Sequence, residues 1–332
     1  MLSRRQFLQS SLVSIPAIAA GSAFTAVSPA HAAEDPRSLV IDCHQHLWDL
    51  KRQKLPWLSG VPPILNKTFG LPEYREATAG LNIRSLYMEV DVAPEQLAAE
   101  AEHVISLAKD PDSKLVAAVI GGRPEDERFP AAIESVVLSP YVKGIRRVLH
   151  GDGTPPGTCL GKTFVKSIRW LGEHDRSFDL VLKPTNLSDG VRLSEECPDT
   201  RFILDHCGNA DARAFNPKLD PSQAPAHKAA DWKRDIDRLA KRPNVICKIS
   251  GVIAFLPEKV PAAESLAPIV NHCLDAFGPE RVVFGSDWPV CLLGRPLEVW
   301  VAALTEIIRT RPAEDQRKLW SGNALRHYKL EV

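Results

Sequence analysis

Eight short apolar runs, all but the first followed by a longer stretch of helical periodicity, restrict this 332-residue chain to very few folds. The runs cover residues 39–42, 85–90, 115–120, 142–149, 178–182, 201–204, 245–250 and 282–285. They are rich in Val, Ile and Leu, as strands buried on both faces of a parallel sheet should be. Helical spacing fills the gaps at 94–109, 129–138, 163–174, 188–196, 228–241 and 262–277, and a last helix is predicted over 296–310. In the first of these, Pro94 opens the segment, and Leu97, Ala98, Ala101, Val104, Ile105 and Ala108 recur at helical intervals. Eight alternating units close most simply into a single-domain (β/α)8 TIM barrel of the α/β class. A doubly wound open sheet is the alternative. No Gly-x-Gly-x-x-Gly follows the first run, which counts against its dinucleotide-binding form.

Residues ahead of the first run read as a targeting segment. Ser3-Arg4-Arg5-Gln6-Phe7-Leu8 is a twin-arginine pattern, an apolar stretch spans 11–27, and Ala30-His31-Ala32 fits a small-residue cleavage site. A signal peptide over 1–32 is therefore expected, with a barrel over 33–332 exported already folded to the periplasm by the twin-arginine (Tat) machinery. No second apolar stretch of membrane-spanning length follows, so the mature protein is expected to be soluble. Basic and acidic side chains balance at 41 each, which leaves no basic footprint for nucleic acid. The seven cysteines (43, 159, 197, 207, 247, 273 and 291) form no Cys-x-x-Cys pair, and buried free thiols are expected.

Chemistry-bearing residues cluster at strand ends. In Val40-Ile41-Asp42-Cys43-His44-Gln45-His46, alternation puts His44 and His46 on one side, where they can hold one divalent ion or a substrate carbonyl. Phe284-Gly285-Ser286-Asp287-Trp288-Pro289 aims a carboxylate at the barrel mouth, unless Asp287 merely serves the turn before Pro289. Phe202-Ile203-Leu204-Asp205-His206-Cys207-Gly208 ends a strand on His206, a candidate ligand or electrophile. A barrel brings the ends of strands one, six and eight around one cavity. Long segments at 49–75 and 207–227 follow strands one and six, on the same face, and are natural lids and specificity elements.

Together with Lys143-Gly144-Ile145-Arg146-Arg147, Cys247-Lys248-Ile249-Ser250-Gly251 and Gly322-Asn323-Ala324, these motifs resemble the amidohydrolase superfamily in its amidohydrolase-2 branch. Within it they are most similar to the sugar lactonases of the L-fuconolactonase and L-rhamnono-lactonase type, over residues 39–330. Many superfamily members carry a carboxylated Lys after strand four and a His after strand five; here strand four offers Arg146 and Arg147, and strand five ends Leu182-Lys183-Pro184-Thr185. The resemblance therefore implies at most one divalent ion, zinc by preference, on His44, His46, His206 and Asp287, with metal-independent action as the alternative.

The same resemblance implies hydrolysis of a small cyclic ester such as a sugar lactone. Asp287 would act as general base and then return the proton to the ring oxygen, while the histidines polarise the carbonyl, His206 among them. Arg146 and Arg147 must point opposite ways on their strand, and the family pattern turns Arg146 to the cavity, against an outer ion pair as the plain alternative. Glu89, Lys248, Trp48 and Trp288 are candidate substrate contacts, with salt bridges or core packing as their ordinary roles, and Trp57 is a further candidate wall. Asn323 is expected to cap a helix or brace the floor. Decarboxylation of an aromatic acid on the same barrel, and sugar-acid binding without turnover, are the competing functions.

Overall fold

The computed structural model describes residue 35, residues 37–151 and residues 153–332, so the expected signal segment lies outside the described residues. All eight expected strands form: β1 Val40–Gln45, β2 Ile83–Met88, β3 Leu115–Gly121, β4 Val142–Val148, β5 Ser177–Val181, β6 Phe202–Leu204, β7 Val245–Ile249 and β8 Val282–Phe284. Each pairs in parallel with the next. The seven expected helices appear as Leu97–Ala108, Phe129–Val137, Lys162–Glu173, Leu187–Glu196, Ala229–Ala240, Ala262–Phe277 and Leu297–Ile308.

Two parts of the chain hold helix that periodicity does not reveal. The stretch expected as loop at 49–75 ends in a helix, Leu71–Ala77, which completes the first crossover. It is only seven residues long, has Pro72 in its first turn and buries only Tyr74, so it carries no repeat to read. The C-terminal residues form short turns of helix at Ala313–Arg317, Lys318–Gly322 and Asn323–His327.

Apolar packing falls into two layers. The larger lies between strands and helices, and includes Trp232, Ile236 and Leu239 from Ala229–Ala240. The smaller fills the barrel, with Ile41, Cys43, Leu86, Met88, Ala117, Val119, Ile203, Ile246 and Val283, joined by Ala324 and Tyr328 from the C-terminal segment. β4 and β5 contribute nothing to this inner cluster; their inward positions include Arg146 and Asp179, so one flank of the interior is charged. Asn323 braces the floor, donating from Nδ2 to the carbonyls of Pro279 and Val282 at 2.7 Å each. All seven cysteines are buried and free, as expected.

The ring closes where β8 returns to β1. The Asp287 N–H donates to the His44 carbonyl and the His46 N–H to the Trp288 carbonyl, both at 2.8 Å. Below these, the Asp42 carboxylate stands in for a ladder: Oδ1 accepts from the Ser286 N–H at 2.8 Å and the His44 N–H at 3.1 Å, and Oδ2 from the Tyr74 hydroxyl at 2.8 Å. Gly285 permits the approach, since a Cβ there would lie 2.8 Å from that of His44 and 3.0 Å from that of Ser250.

Asp42→Ala removes the acceptor from three buried donors. Each buried donor left unsatisfied costs about 1–3 kcal/mol, so the variant should lose at least about 3 kcal/mol of unfolding free energy. Urea denaturation measures this, and a loss below about 1 kcal/mol would show that the seam does not depend on Asp42.

Candidate active site and metal centre

His44 and His46 reach the interior because β1 is irregular. Asp42 pairs with Ser85 and Gln45 with Tyr87, three steps on β1 against two on β2. Such a bulge re-aims side chains. Cys43 belongs to the inner apolar cluster, yet its neighbour His44 also points inward, with Nδ1 3.3 Å from Lys248 Nζ.

His206 sits on a turn of unusual hand. His206, Cys207, Gly208 and Asn209 have φ of 55°, 52°, 66° and 52°. Left-handed backbone costs a residue other than glycine or asparagine about 1–2 kcal/mol. Tertiary bonds hold it: Gly208 N–H to the Asp205 carbonyl at 2.8 Å, Trp232 Nε1 to the Cys207 carbonyl at 3.0 Å and Asn209 Nδ2 to the Leu182 carbonyl at 2.8 Å. The imidazole is fixed by Ser250, whose Oγ is 3.0 Å from Nδ1. It lies against Gly251, where a Cβ would come within 2.3 Å of Nδ1. Gly251 itself has φ of 69°, so both space and backbone select glycine. Asp287 is also left-handed, at φ 56°, a strain that the seam bonds offset.

The four groups converge. Asp287 Oδ1 lies 3.3 Å from His46 Nε2, 3.6 Å from His44 Nε2 and 4.0 Å from His206 Nε2. Nitrogen and oxygen ligands about 2.0–2.1 Å from a tetrahedral zinc are about 3.3–3.4 Å apart. His44, His206 and Asp287 offer ligand atoms all within 4.8 Å of one another, a set that can hold one divalent cation, and His46 stands beside it against Asp287. His46 Nδ1 faces only acceptors, the Met88 and Glu89 carbonyls at 3.0 and 3.1 Å, so it carries a proton and turns Nε2 toward Asp287. Burial pushes His44 well below the usual imidazole range and lowers His206 as well, which keeps both neutral.

Beneath the imidazoles runs a charged network. Lys248 Nζ is 2.7 Å from Asp179 Oδ2 and 2.9 Å from Asp205 Oδ1, all three fully buried. Arg146 places Nε 3.3 Å from Glu89 Oε1 and 3.8 Å from Asp205 Oδ2, and a terminal nitrogen 3.3 Å from His44 Nε2. Against the cost of its burial, Asp205 is held well below the usual carboxylate range by Lys248 and His44. Burial, with the repulsion of Asp205, pushes Asp179 up to about 7 despite Lys248. Behind Glu89, burial and the charge of Glu89 raise Glu100 to about 8, so Glu100 is protonated at neutral pH. Four acidic side chains (Glu89, Asp179, Asp205 and Asp287), of which burial raises Glu89 and Asp179, thus face two cations (Arg146 and Lys248) around His44 and His206. A divalent cation would balance that excess.

Above the group opens a cavity of about 340 Å³, lined by His46, Glu89, Arg146, His206 and Asp287 at its base and by Trp48 and Trp57 at one side. Arg147 turns outward to Glu125 at 2.8 Å, leaving Arg146 to the interior. Two expected substrate contacts do not reach the cavity. Lys248 points inward but one layer too deep, under His44. Trp288 packs instead on Phe69 and Tyr74, at ring separations of 5.4 and 5.3 Å. Sequence reasoning missed His150, Asp91 and Asn209 at the cavity and Asp179 and Asp205 beneath it. Asp179 had a readable signal, a charged residue inside a strand buried on both faces.

Known proteins resemble this chain over most of its length. The family model described as Amidohydrolase matches residues 41–330. An L-fucono-1,5-lactonase from Burkholderia multivorans is 27% identical over 300 residues, covering 88% of this chain and 97% of that protein. An L-rhamnono-gamma-lactonase from Scheffersomyces stipitis is 24% identical over 205 residues, 57% of this chain and 59% of that protein. The crystal structure of an amidohydrolase from Burkholderia multivorans with bound zinc superposes with a TM-score of 0.75 at 26% identity, covering 88% of this chain and 100% of that one.

Two substitutions separate the network from the ligand set. Lys248→Met leaves two buried carboxylates without their cation and should cost about 3–5 kcal/mol in urea unfolding; wild-type stability would mean that the network is not structural. Gly251→Ala should displace the His206 ring and weaken zinc binding at least about tenfold in chelator competition, with the far-UV spectrum retained. Unchanged zinc affinity would remove His206 from the ligand set.

Proposed function

The chain belongs to the amidohydrolase family, and from that premise we propose that it hydrolyses a lactone, opening a cyclic ester of a hydroxy acid in the class of sugar-derived lactones. The observation that carries this reading is the convergence of three imidazole Nε2 atoms on one Asp287 oxygen at the base of the cavity. The names of the two lactonase relatives support the choice of cyclic ester.

His44, His46, His206 and Asp287 would hold one divalent cation, zinc by preference for a nitrogen-rich set. When bound, that ion supplies Lewis-acid polarisation of the ester carbonyl. Asp287 takes a proton from the attacking water as its oxygen bonds to the carbonyl carbon. It returns the proton to the ring oxygen as the carbon–oxygen bond breaks, giving a hydroxy acid. Arg146, a buried cation beside Glu89 and at the cavity, stabilises charge on the ester oxygen and then on the new carboxylate. Asp205 Oδ1 and Lys248 Nζ stand 3.4 and 3.3 Å from His44 Nδ1 and hold the ring with Nε2 toward Asp287. We also propose export through the twin-arginine route, supported by Arg4-Arg5 and Ala30-His31-Ala32. A secreted form whose first residue is Ala33 is the expected result of N-terminal sequencing.

Acid release from a panel of lactones, followed with a pH indicator, tests the activity with and without chelator. Loss on chelation and recovery with one divalent ion is expected. Retained activity would assign the polarisation to the histidines alone. Release of carbon dioxide from aromatic acids, without lactone hydrolysis, would replace this reading by decarboxylation. Asp287→Asn should lower kcat by about 10²–10⁴ with the fold intact, and a folded variant of wild-type rate would exclude Asp287 as the base.

A further inference from the structure

We propose that the lactone ring this site accepts carries a hydrocarbon arm longer than a methyl group, seated against the wall formed by Trp48, Trp57, Val61, Leu65, Val290 and Leu293. The inference rests on the lactonase reading above and narrows its substrate class.

The cavity has two unlike sides. Charged and titratable groups gather at the base around Asp287 and His206. Trp48, Trp57, Val61, Leu65, Val290 and Leu293 supply aromatic or aliphatic lining, and the segments that carry Leu65 and Val290–Leu293 lie against each other. The two indoles add no polar handle, because each N–H is committed to a backbone carbonyl: Trp48 Nε1 to Lys67 at 2.6 Å and Trp57 Nε1 to Val90 at 2.7 Å. Their rings meet edge to face at 5.6 Å and present only hydrocarbon. Phe255, 61% exposed, carries the apolar surface out to the entrance.

On the polar side, much of the bonding capacity is already used. Glu89 accepts from the Asp91 N–H at 2.7 Å and pairs with Arg146; the Asp91 carboxylate pairs with Arg123 at 3.0 Å; Asn209 donates to the Leu182 carbonyl. A ring with hydroxyls on every edge would find partners on one side and lose its water on the other without replacement. A sugar stacked on the indoles would still need partners around its rim, and Val61, Leu65, Val290 and Leu293 offer none. An amphipathic lactone satisfies both sides.

The test compares δ-valerolactone, δ-hexalactone, δ-octalactone and δ-decalactone with glucono-δ-lactone. A buried methylene is worth about 0.8 kcal/mol, or about fourfold at about 1.4 kcal/mol per tenfold. Values of kcat/KM should therefore rise about fourfold per methylene over the first three, and exceed that of glucono-δ-lactone. Leu293→Asn, at a partly buried wall position, and Trp57→Ala should each cut the ratio of δ-octalactone to δ-valerolactone at least about tenfold. A flat or falling series, or glucono-δ-lactone as the better substrate, would overturn the proposal. If no lactone is turned over, the lactonase reading falls, and calorimetry still decides the arm. Sodium 5-hydroxyoctanoate should bind at least about tenfold more tightly than sodium gluconate, with a negative heat-capacity change; equal or tighter gluconate binding would sink the inference.

Discussion

An eight-stranded parallel sheet has two edges, and here they meet through very few bonds. β8 is regular for only three residues, Val282–Phe284, so the ladder of the other seven pairings cannot be continued across the seam. Instead the seam is made by Asp287 and His46 donating to the carbonyls of His44 and Trp288, and by the Asp42 carboxylate. Three of the four converging groups are therefore residues of the closure itself. Their mutual distances of 3.3 and 3.6 Å are set by main-chain pairing on two adjacent strands rather than by long flexible side chains. That is the condition for a preorganised site, in which little reorganisation remains when a reaction begins. The fourth group, His206, lacks that support, and its left-handed turn is bought with bonds from Trp232, Asn209 and Ser250.

Closure alone would not fix the electronic state of the imidazoles. His44 is fully buried and lies close to Lys248, Arg146, Asp205 and Asp287. Burial favours the neutral ring. Asp205 lies beside its Nδ1 and stays ionised because Lys248 is next to it. Lys248 in turn is tolerable in the interior only because Asp179 provides its second partner. β5, β6 and β7 thus act on a side chain of β1 through contacts in the barrel, and Asp179, raised to about 7, marks where this network is short of positive charge.

Much of this was legible because parallel strands announce themselves as apolar runs and because a polar residue at the end of such a run needs a reason. His44, His46, His206 and Asp287 were found that way. Lys248 was found but misplaced: residue order gives the face a side chain points to, not the depth of its layer in the barrel. The place of Trp288 is not readable from strand alternation, because the chain leaves the strand after Phe284 and Asp287 is left-handed. The segments bearing Phe255, Val290 and Leu293 are single turns of 3-10 helix, too short to show a period. His150 stands one residue beyond a strand motif that drew attention to Arg146. The bulge in β1 has no local signature, since it is a mismatch between two strands.

The division between base and wall follows from where each is built. The reacting groups come from the ends of strands locked in a closed ring, where displacement breaks main-chain bonds. The apolar wall comes from segments after strands one, seven and eight, which have no such ladder. Replacing the partly buried Val61, Val290 or Leu293 therefore changes what the cavity accepts at little cost to the barrel, whereas Leu65 is fully buried in the core. Trp48 and Trp57 are different, because their N–H groups tie the 48–65 segment to Lys67 and Val90. They hold the wall against the mouth while the aliphatic residues between them shape it. A chain of this architecture can alter the size and polarity of its substrate by substitutions at the wall and leave the four converging groups where the seam puts them.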